Sequence, residues 1–530
     1  MRLLLATFTA LSGGLLLETS DTLVHTAGAS LAGTLPAQTA LTPTPRRAFT
    51  PTTRKGYWNA DVVGDFTLPK TKSLTFDAAG RNLYGGDNWE KIFKRGFTSV
   101  NQARMFWDTE IAGDRRPAGW KSRLSFDRRA FIIYRAALQG PPHNLQWAHL
   151  GDLAGQTAFR PPANARGSQQ NLYAFAANLK NNCLNFGDCP PDGTRIGVSK
   201  IYYDLENDGV QPQNRQEQAN AYTYLMYMTK QVADPRTEIG SITPVAHNGF
   251  GYSRAADYNS PGEWLFSMPA RHTETSRQRG MPDAIVGKSF RDYVDFHMPG
   301  TYFFYPDFDY NGKHTGDYDR HWLAGLLSEQ EYNVRLTDKK RIAWHWLFNT
   351  QSGHFYNSQK ASNPAPPAVA EGMGIFFWFT GAYGAILWDD HNQLKPDQPT
   401  PADPAQQGLA DDRNYACYEH YIHGLWRLFN HHGDLFNGRE TYLNQQTECS
   451  FDGGQTWYQF NANQLKTRGL PFARALVNGD QILIAATMPF ARPDQRTNLM
   501  VRYVQNGYQF YTTVNLKGDE IFLGRATMGR

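Results

Sequence analysis

The feature that most constrains this chain is an alternation. From about residue 56 to about residue 435, short apolar runs rich in β-branched or aromatic residues alternate with amphipathic helical stretches. Such alternation predicts βα units around a parallel sheet. The candidate strands are Ser99 to Trp107, Ala130 to Ala137, Ile201 to Leu205, Ser241 to His247, Tyr293 to Met298, Arg341 to Phe348 and Gly384 to Trp388. Ala221, Leu225, Met228 and Val232 recur at helical spacing within a candidate helix, Gln216 to Val232. A second, Tyr418 to Asn430, is placed as the last helix of the unit. Seven strands are one short of eight, so the expected fold is α/β, a (β/α)8 TIM-type barrel. A doubly wound open sheet would give the same alternation, but no GxGxxG or Walker-type loop favours it.

After residue 435 the texture changes to short alternating segments, Gln481 to Ala486, Leu499 to Val504 and Gln509 to Val514. Turn pairs Asn478-Gly479 and Asn506-Gly507 separate them. This predicts a C-terminal antiparallel β domain over 436–530, following a catalytic domain over 56–435. A Pro-rich stretch at 393–412 reads as an exposed loop before the last helix.

At the other end, Arg2 precedes an apolar run from Leu3 to Leu17, and no further Lys or Arg occurs until Arg46. Residues 1–29 therefore resemble a signal peptide, with Ala27-Gly28-Ala29 as a cleavage triplet, and predict a secreted protein, extracellular or periplasmic. Residues 30–55, rich in Thr, Pro and Ala, read as a flexible leader. No later stretch is long enough in apolar residues to span a membrane. Of the four cysteines, Cys183 and Cys189 flank a turn-rich loop that an oxidising compartment would close as a disulfide; free buried thiols are the alternative. Cys417 and Cys449 are the other two, and no zinc-type spacing is present.

Composition narrows the partner. Aromatic residues make up 14 % of the chain, many of them beside Gly, Asn and Asp. Sugar rings present apolar C–H faces to such side chains while their hydroxyls need polar neighbours, so a carbohydrate site fits, with a plain aromatic core as the other reading. The net charge of +4 comes from scattered basic residues, which argues against nucleic acid. Oligomeric state is not readable.

The segment Lys200-Ile-Tyr-Tyr-Asp204-Leu-Glu206-Asn-Asp-Gly209 is an apolar strand that ends in carboxylates and turns. Barrel active sites sit at such strand ends, and residues two apart share a face. Two neighbouring carboxylates cannot both ionise freely, which raises one pKa toward that of a general acid. A helix-capping or Arg-paired carboxylate is the structural alternative. This Asp-x-Glu strand end resembles that of barrel-type glycoside hydrolases, including the chitinase-like and lysozyme-like groups, over fewer than ten residues. It departs from the longer chitinase pattern, and it lacks the Asn-Glu pair of the large cellulase-type clan. The resemblance implies fold and reaction class, with Glu206 as proton donor and Asp204 as its orienter. Glu371 is the candidate second carboxylate.

Other strand ends supply lining candidates for substrate: Asp108, His247, Asn248 and Tyr305, and the late aromatic residues Trp344, Trp346, Trp378 and Trp388 with Asp389. Asp307, Asp309 and Asn311 match the first half of an EF-hand-type calcium loop, but position twelve falls on Tyr318, so a structural Ca2+ competes with an ordinary polar loop. No cofactor is required by the expected chemistry. Ser450-Phe-Asp452-Gly-Gly-Gln-Thr456-Trp457 matches an Asp box, a turn motif resembling that of sialidases and other secreted β proteins, which makes Asp452 structural. A glycoside hydrolase is the leading expectation. The alternatives are a non-catalytic glycan-binding surface protein on the same scaffold and a metal-dependent hydrolase using Asp204, Glu206 and His247.

Overall fold

In the computed structural model of the chain, the described residues are 40–51, 59–77, 90–101, 124–133, 197–204, 212–242, 264–302, 336–350, 362–365, 367–388, 416–459, 472–488, 494–505, 508–518 and 520–528, with isolated positions at 173, 176, 327, 331, 333 and 334.

Eight parallel strands run, in chain order, Ser73–Asp77, Ser99–Asn101, Arg129–Ile133, Lys200–Asp204, Glu238–Ile242, an interrupted sixth made of Phe296–His297 and Gly300–Tyr302, then Lys340–Trp346 and Gly384–Trp388. Each pairs with the next in sequence through the fifth, and the seventh with both halves of the sixth. The eighth pairs with the seventh and the first, and a parallel bridge from Ile242 to Met298 joins the fifth strand to the sixth. The sheet is therefore closed, which settles the choice between barrel and open sheet.

The strand the sequence reading lacked is the first, Ser73-Leu-Thr-Phe-Asp77. Its alternation is real but polar on one side. Leu74 and Phe76 face the outer layer, while Ser73, Thr75 and Asp77 take the other face. Reading for apolar runs passes over such a strand. The fifth strand begins at Glu238, three residues before its expected start at Ser241, and Tyr293 closes a helical turn instead of opening the sixth strand. The eighth strand matches its expectation end to end.

Helices cover the outside. Arg215–Val232 packs behind the fourth strand, where Tyr203 Oη meets Thr229 Oγ1 at 2.7 Å. The seventh and eighth helices, Pro367–Phe376 and Ala416–His432, pack closely on each other. A side chain at Gly374 would strike Tyr421 O at 2.7 Å, and one at Gly424 would strike Glu371 O at 2.6 Å, so the two glycines set this approach.

The C-terminal part is two antiparallel sheets. One has the order Thr42–Pro43, Phe522–Thr527, Gln481–Thr487, Phe472–Asn478 and Thr441–Tyr442. The other has the order Tyr458–Gln459, Glu448–Ser450, Arg496–Gln505 and Tyr508–Lys517. Its apolar residues belong to the same buried cluster as those of the barrel, with Phe376 and Phe472 rings 5.2 Å apart. The segment expected to be a flexible leader supplies an edge strand here: Thr42 and Pro43 pair with Arg525 and Gly524, and Thr44 N donates to Leu523 O. Extended backbone at the rim of a sheet satisfies hydrogen bonds that no leader in solvent would make. The protein is a (β/α)8 TIM barrel carrying a C-terminal antiparallel β domain.

Candidate active site

The interior of the barrel is identified by contacts between strands that are not neighbours. Tyr202 Oη, from the fourth strand, lies 2.8 Å from Thr75 Oγ1 of the first, and its ring is 5.3 Å from Phe296 of the sixth. Such contacts can only cross the lumen. Thr75 also meets Ser99 Oγ of the second strand at 2.8 Å, which completes a polar layer across the middle.

The register places Trp344 beside Ile386 beside Thr75 and, two residues further toward the C-terminal ends, Trp346 beside Trp388 beside Asp77. The rings of Trp344 and Trp346 lie 5.7 and 5.0 Å from that of Trp388. His345, between the first two, turns the other way into the helix layer, where Nδ1 is 2.8 Å from Tyr421 Oη. Its complete burial lowers its pKa to about 3, so it is a neutral packing residue. Three of the four predicted tryptophans thus converge at the mouth where barrel enzymes carry their sites. Trp344 and Trp346 are shut off from solvent and form a packed floor, while Trp388 retains 9 % exposure.

Trp378 is not with them. It lies in a 3-10 turn after the seventh helix, against Phe429 of the eighth, and packs the outer layer. The apolar run around it made it look like a strand-end platform; the run is a helix terminus.

Glu371 is also elsewhere. It sits on the seventh helix, 2 % exposed, and its carboxylate receives Arg427 Nη1 at 2.5 Å and Arg46 Nη2 at 2.7 Å, with His423 Nδ1 at 3.6 Å. Burial by itself would push the carboxyl up; the neighbouring His423, Arg427 and Arg46 outweigh it and hold it down at about 2. A carboxylate so held keeps no proton to donate near neutrality, so the expected second carboxylate is a structural ion pair. Arg427 also donates to Ile521 O, so this one charge ties the seventh and eighth helices, the N-terminal strap and the β domain together.

Asp204 ends the fourth strand two residues beyond Tyr202, in register with Ile242, on the lumen row. Glu206, Asp108, His247, Asn248, Tyr305, Asp389 and the calcium candidates Asp307, Asp309 and Asn311 lie outside the described residues, as do Cys183 and Cys189. The residue missed by sequence reading is Asp77, wholly buried, two residues beyond Thr75 on the lumen face and level with Trp388. Its signal was available in the Ser-x-Thr-x-Asp alternation of the first strand.

The opposite mouth is built differently. Glu238 lies between Lys200, at 3.5 Å, and Lys340, and accepts from Tyr383 Oη at 3.2 Å. The Lys340 ammonium stands 4.2 Å from the centre of the Tyr383 ring. Here each charge faces an opposite one.

In the β domain the Asp box folds as its pattern requires. Asp452 Oδ1 accepts from Ser450 Oγ at 2.7 Å, Gln455 N at 3.0 Å and Thr456 N at 2.9 Å, and Trp457 packs beneath against Arg502 at 4.2 Å. The bonds from Thr456 and Ser450 lower the Asp452 pKa to about 2, as befits a turn-holding acceptor.

Among the described residues no helix is long and apolar enough to cross a membrane, and no group of three or more His, Cys, Asp or Glu side chains is gathered for a metal ion. No protein-family model matches the chain, and no curated protein does. Solved structures to which it is similar include an endo-β-1,4-mannanase from Thermotoga petrophila, 12 % identical, covering 80 % of this chain and 92 % of that one at a TM-score of 0.28. A GH30 endoxylanase from Clostridium papyrosolvens is 10 % identical over 89 % and 99 % of the two chains at 0.30. An isomaltulose synthase from Klebsiella is 9 % identical over 86 % and 99 % at 0.38. At these scores and identities the likenesses add nothing about the reaction, and the fold rests on its own strand order and register.

Proposed function

We propose that the protein is a secreted glycoside hydrolase that cleaves a polysaccharide or glycan at the C-terminal mouth of its barrel. The observation that carries this reading is the convergence of Trp344, Trp346 and Trp388 in a closed barrel, at the end toward which the strand Lys200–Asp204 also runs. Indole faces suit the C–H face of a sugar ring, and strand-end carboxylates suit proton transfer to a glycosidic oxygen.

In this reading Glu206, two residues beyond Asp204, donates the proton to the leaving oxygen while Asp204 orients it. The tryptophan floor excludes water beneath the sugar and raises the strength of the charge interactions above it. No cofactor enters.

Purified protein is incubated with a panel of polysaccharides and reducing-end release is compared with Glu206→Gln, which keeps the shape and loses the proton. Release by the wild type and a loss of about 10³-fold in a folded variant supports the reading. Binding to a glycan without release would replace it with a glycan-binding surface protein, the second reading that the same tryptophans support.

A further inference from the structure

We propose that His423 is a proton-operated latch for the N-terminal strap. Its neutral ring holds the strap on the eighth helix, and a proton on it releases the segment around Arg46 and Arg47 while the sheet pairing at Thr42–Pro43 stays closed. This device is independent of whether the barrel cleaves a glycan.

The strap meets the eighth helix at three points. Thr44 Oγ1 lies 2.6 Å from His432 Nε2, the backbone N–H of Arg47 donates to His423 Nε2 at 3.1 Å, and the Phe49 ring stands 5.0 and 5.4 Å from those of His420 and His423. An imidazole nitrogen that accepts from an N–H carries no hydrogen, so the seated strap requires a neutral His423 with its proton on Nδ1. That nitrogen faces Glu371 Oε2 at 3.6 Å. The same oxygen receives Arg46 Nη2 at 2.7 Å. One imidazole therefore accepts from one strap residue and stands beside the anchor of the next.

A proton added at Nε2 turns the acceptor into a donor that points at the Arg47 N–H, and the imidazolium draws Nδ1–H onto the oxygen that Arg46 occupies. The centre already sets one carboxylate against two guanidiniums, those of Arg46 and Arg427. A further cation there favours the loss of one. The side chains of Glu371, His423 and Arg427 are each 2 % exposed, whereas that of Arg46 is 39 % exposed, so Arg46 is the cation with a path to water. The Trp426 ring, stacked on His423 with centroids 6.0 Å apart, suits an imidazolium left in place when the strap departs.

The groups facing this ring hold their charge states between neutral pH and about pH 4.5. Glu371 is kept at about 2 in spite of its burial by His423, Arg427 and Arg46. Burial holds His420 down at about 4 against the pull of Glu371, with His423 and Arg46 adding to the effect. At the far end of the strap, burial and then Arg525 hold His432 at about 3. Arg427 faces Glu520 of the β domain as well as Glu371. Release frees Nε2 from Arg47 and clears Arg46 from Glu371, so the released state binds the proton at His423 more readily than the seated state. Falling pH therefore favours release.

The test is hydrogen exchange of the full-length protein, resolved to single amides and corrected for intrinsic rate, at about pH 7.5 and about pH 4.5. The Arg47 amide is expected to lose about tenfold or more of its protection at the lower pH, while the Thr44 amide, bonded to Leu523 O, and those of the eighth helix keep theirs. His423→Gln retains an acceptor for Arg47 and takes up no proton, so its Arg47 amide is expected to stay protected at both pH values. Unchanged protection of Arg47 in the wild type, a loss shared by Thr44 and the helix, or the wild-type loss repeated in His423→Gln overturns the proposal. Should His423→Gln fail to fold or to seat the strap at the higher pH, exchange of the ring C2 hydrogen of each histidine is followed in the wild type over the same range. A release midpoint that coincides with the titration of His423 supports the proposal, and one that coincides with another histidine or with none overturns it.

Discussion

The two mouths of the barrel are lined by different residues: lysines around a glutamate and a tyrosine at one, indoles and strand-end aspartate positions at the other. At the N-terminal mouth, Lys200, Glu238, Lys340 and Tyr383 answer one another, and the network closes the barrel. At the C-terminal mouth, Asp77 and the Asp204 position rise from a floor of three indoles. In barrel enzymes the first end serves stability and the second serves chemistry. What separates the two ends is the ion-pair network at one and the packed indoles at the other.

The largest expected effect that could break this contrast is on the proposed acid. Glu206→Gln should reduce kcat by about 10³-fold while the melting temperature stays within a degree or two, read from parallel rate and thermal-unfolding measurements. A variant that unfolds, with normal specific activity in its folded fraction, would place Glu206 among the structural charges.

Next in size is Glu371→Ala, for which the contrast predicts the reverse pattern. Removing one partner of a buried ion pair costs about 3–5 kcal/mol, so denaturant unfolding should show a loss of that order while folded protein keeps its kcat. The pH dependence follows from the depressed pKa. Because the folded value of about 2 is below the ordinary glutamate value of 4.5, the stabilisation is fully present above about pH 4.5 and is lost as pH falls from there through about 2. That difference amounts to about 3 kcal/mol. Unfolding free energies measured from pH 6 down to pH 2 should fall more steeply for the wild type than for Glu371→Gln.

These two glutamates show what was legible. Strand Lys200–Asp204 was readable because its apolar run and acidic end coincide, and so were Gly384–Trp388 and the helix Arg215–Val232. Trp344, Trp346 and Trp388 could be picked out as a group because they lie two residues apart on one strand and at the end of the next to be predicted. Glu371 and Trp378 were misplaced because an apolar run reads alike for a buried helix and a buried strand, and partners such as Arg46 and Arg427 are remote in sequence. Asp77 was missed for the converse reason: Ser73, Thr75 and Asp77 make the lumen-facing row of its strand polar, so the strand lacks the apolar signature. The strap at Thr42–Pro43 depends wholly on a pairing with residues near 525, which no local pattern announces.

A smaller effect sharpens the account of the lower mouth. Glu238 is only half-buried and Lys340 is half-exposed, so solvent screens the network, and Glu238→Gln should cost about 1 kcal/mol with kcat unchanged. The smallest effect is expected in the β domain. Asp452→Ala should remove the acceptor that holds the Asp-box turn and lower the melting temperature slightly, without altering turnover.

The most direct measurement of the central claim is a side-by-side kcat determination for Glu206→Gln and Glu238→Gln on one glycan that the wild type cleaves. The account predicts a ratio near a thousand, with the first variant slow and stable and the second fully active and slightly less stable. Comparable rates in the two variants would contradict it, because the two ends of the barrel would then not differ in their part in the chemistry.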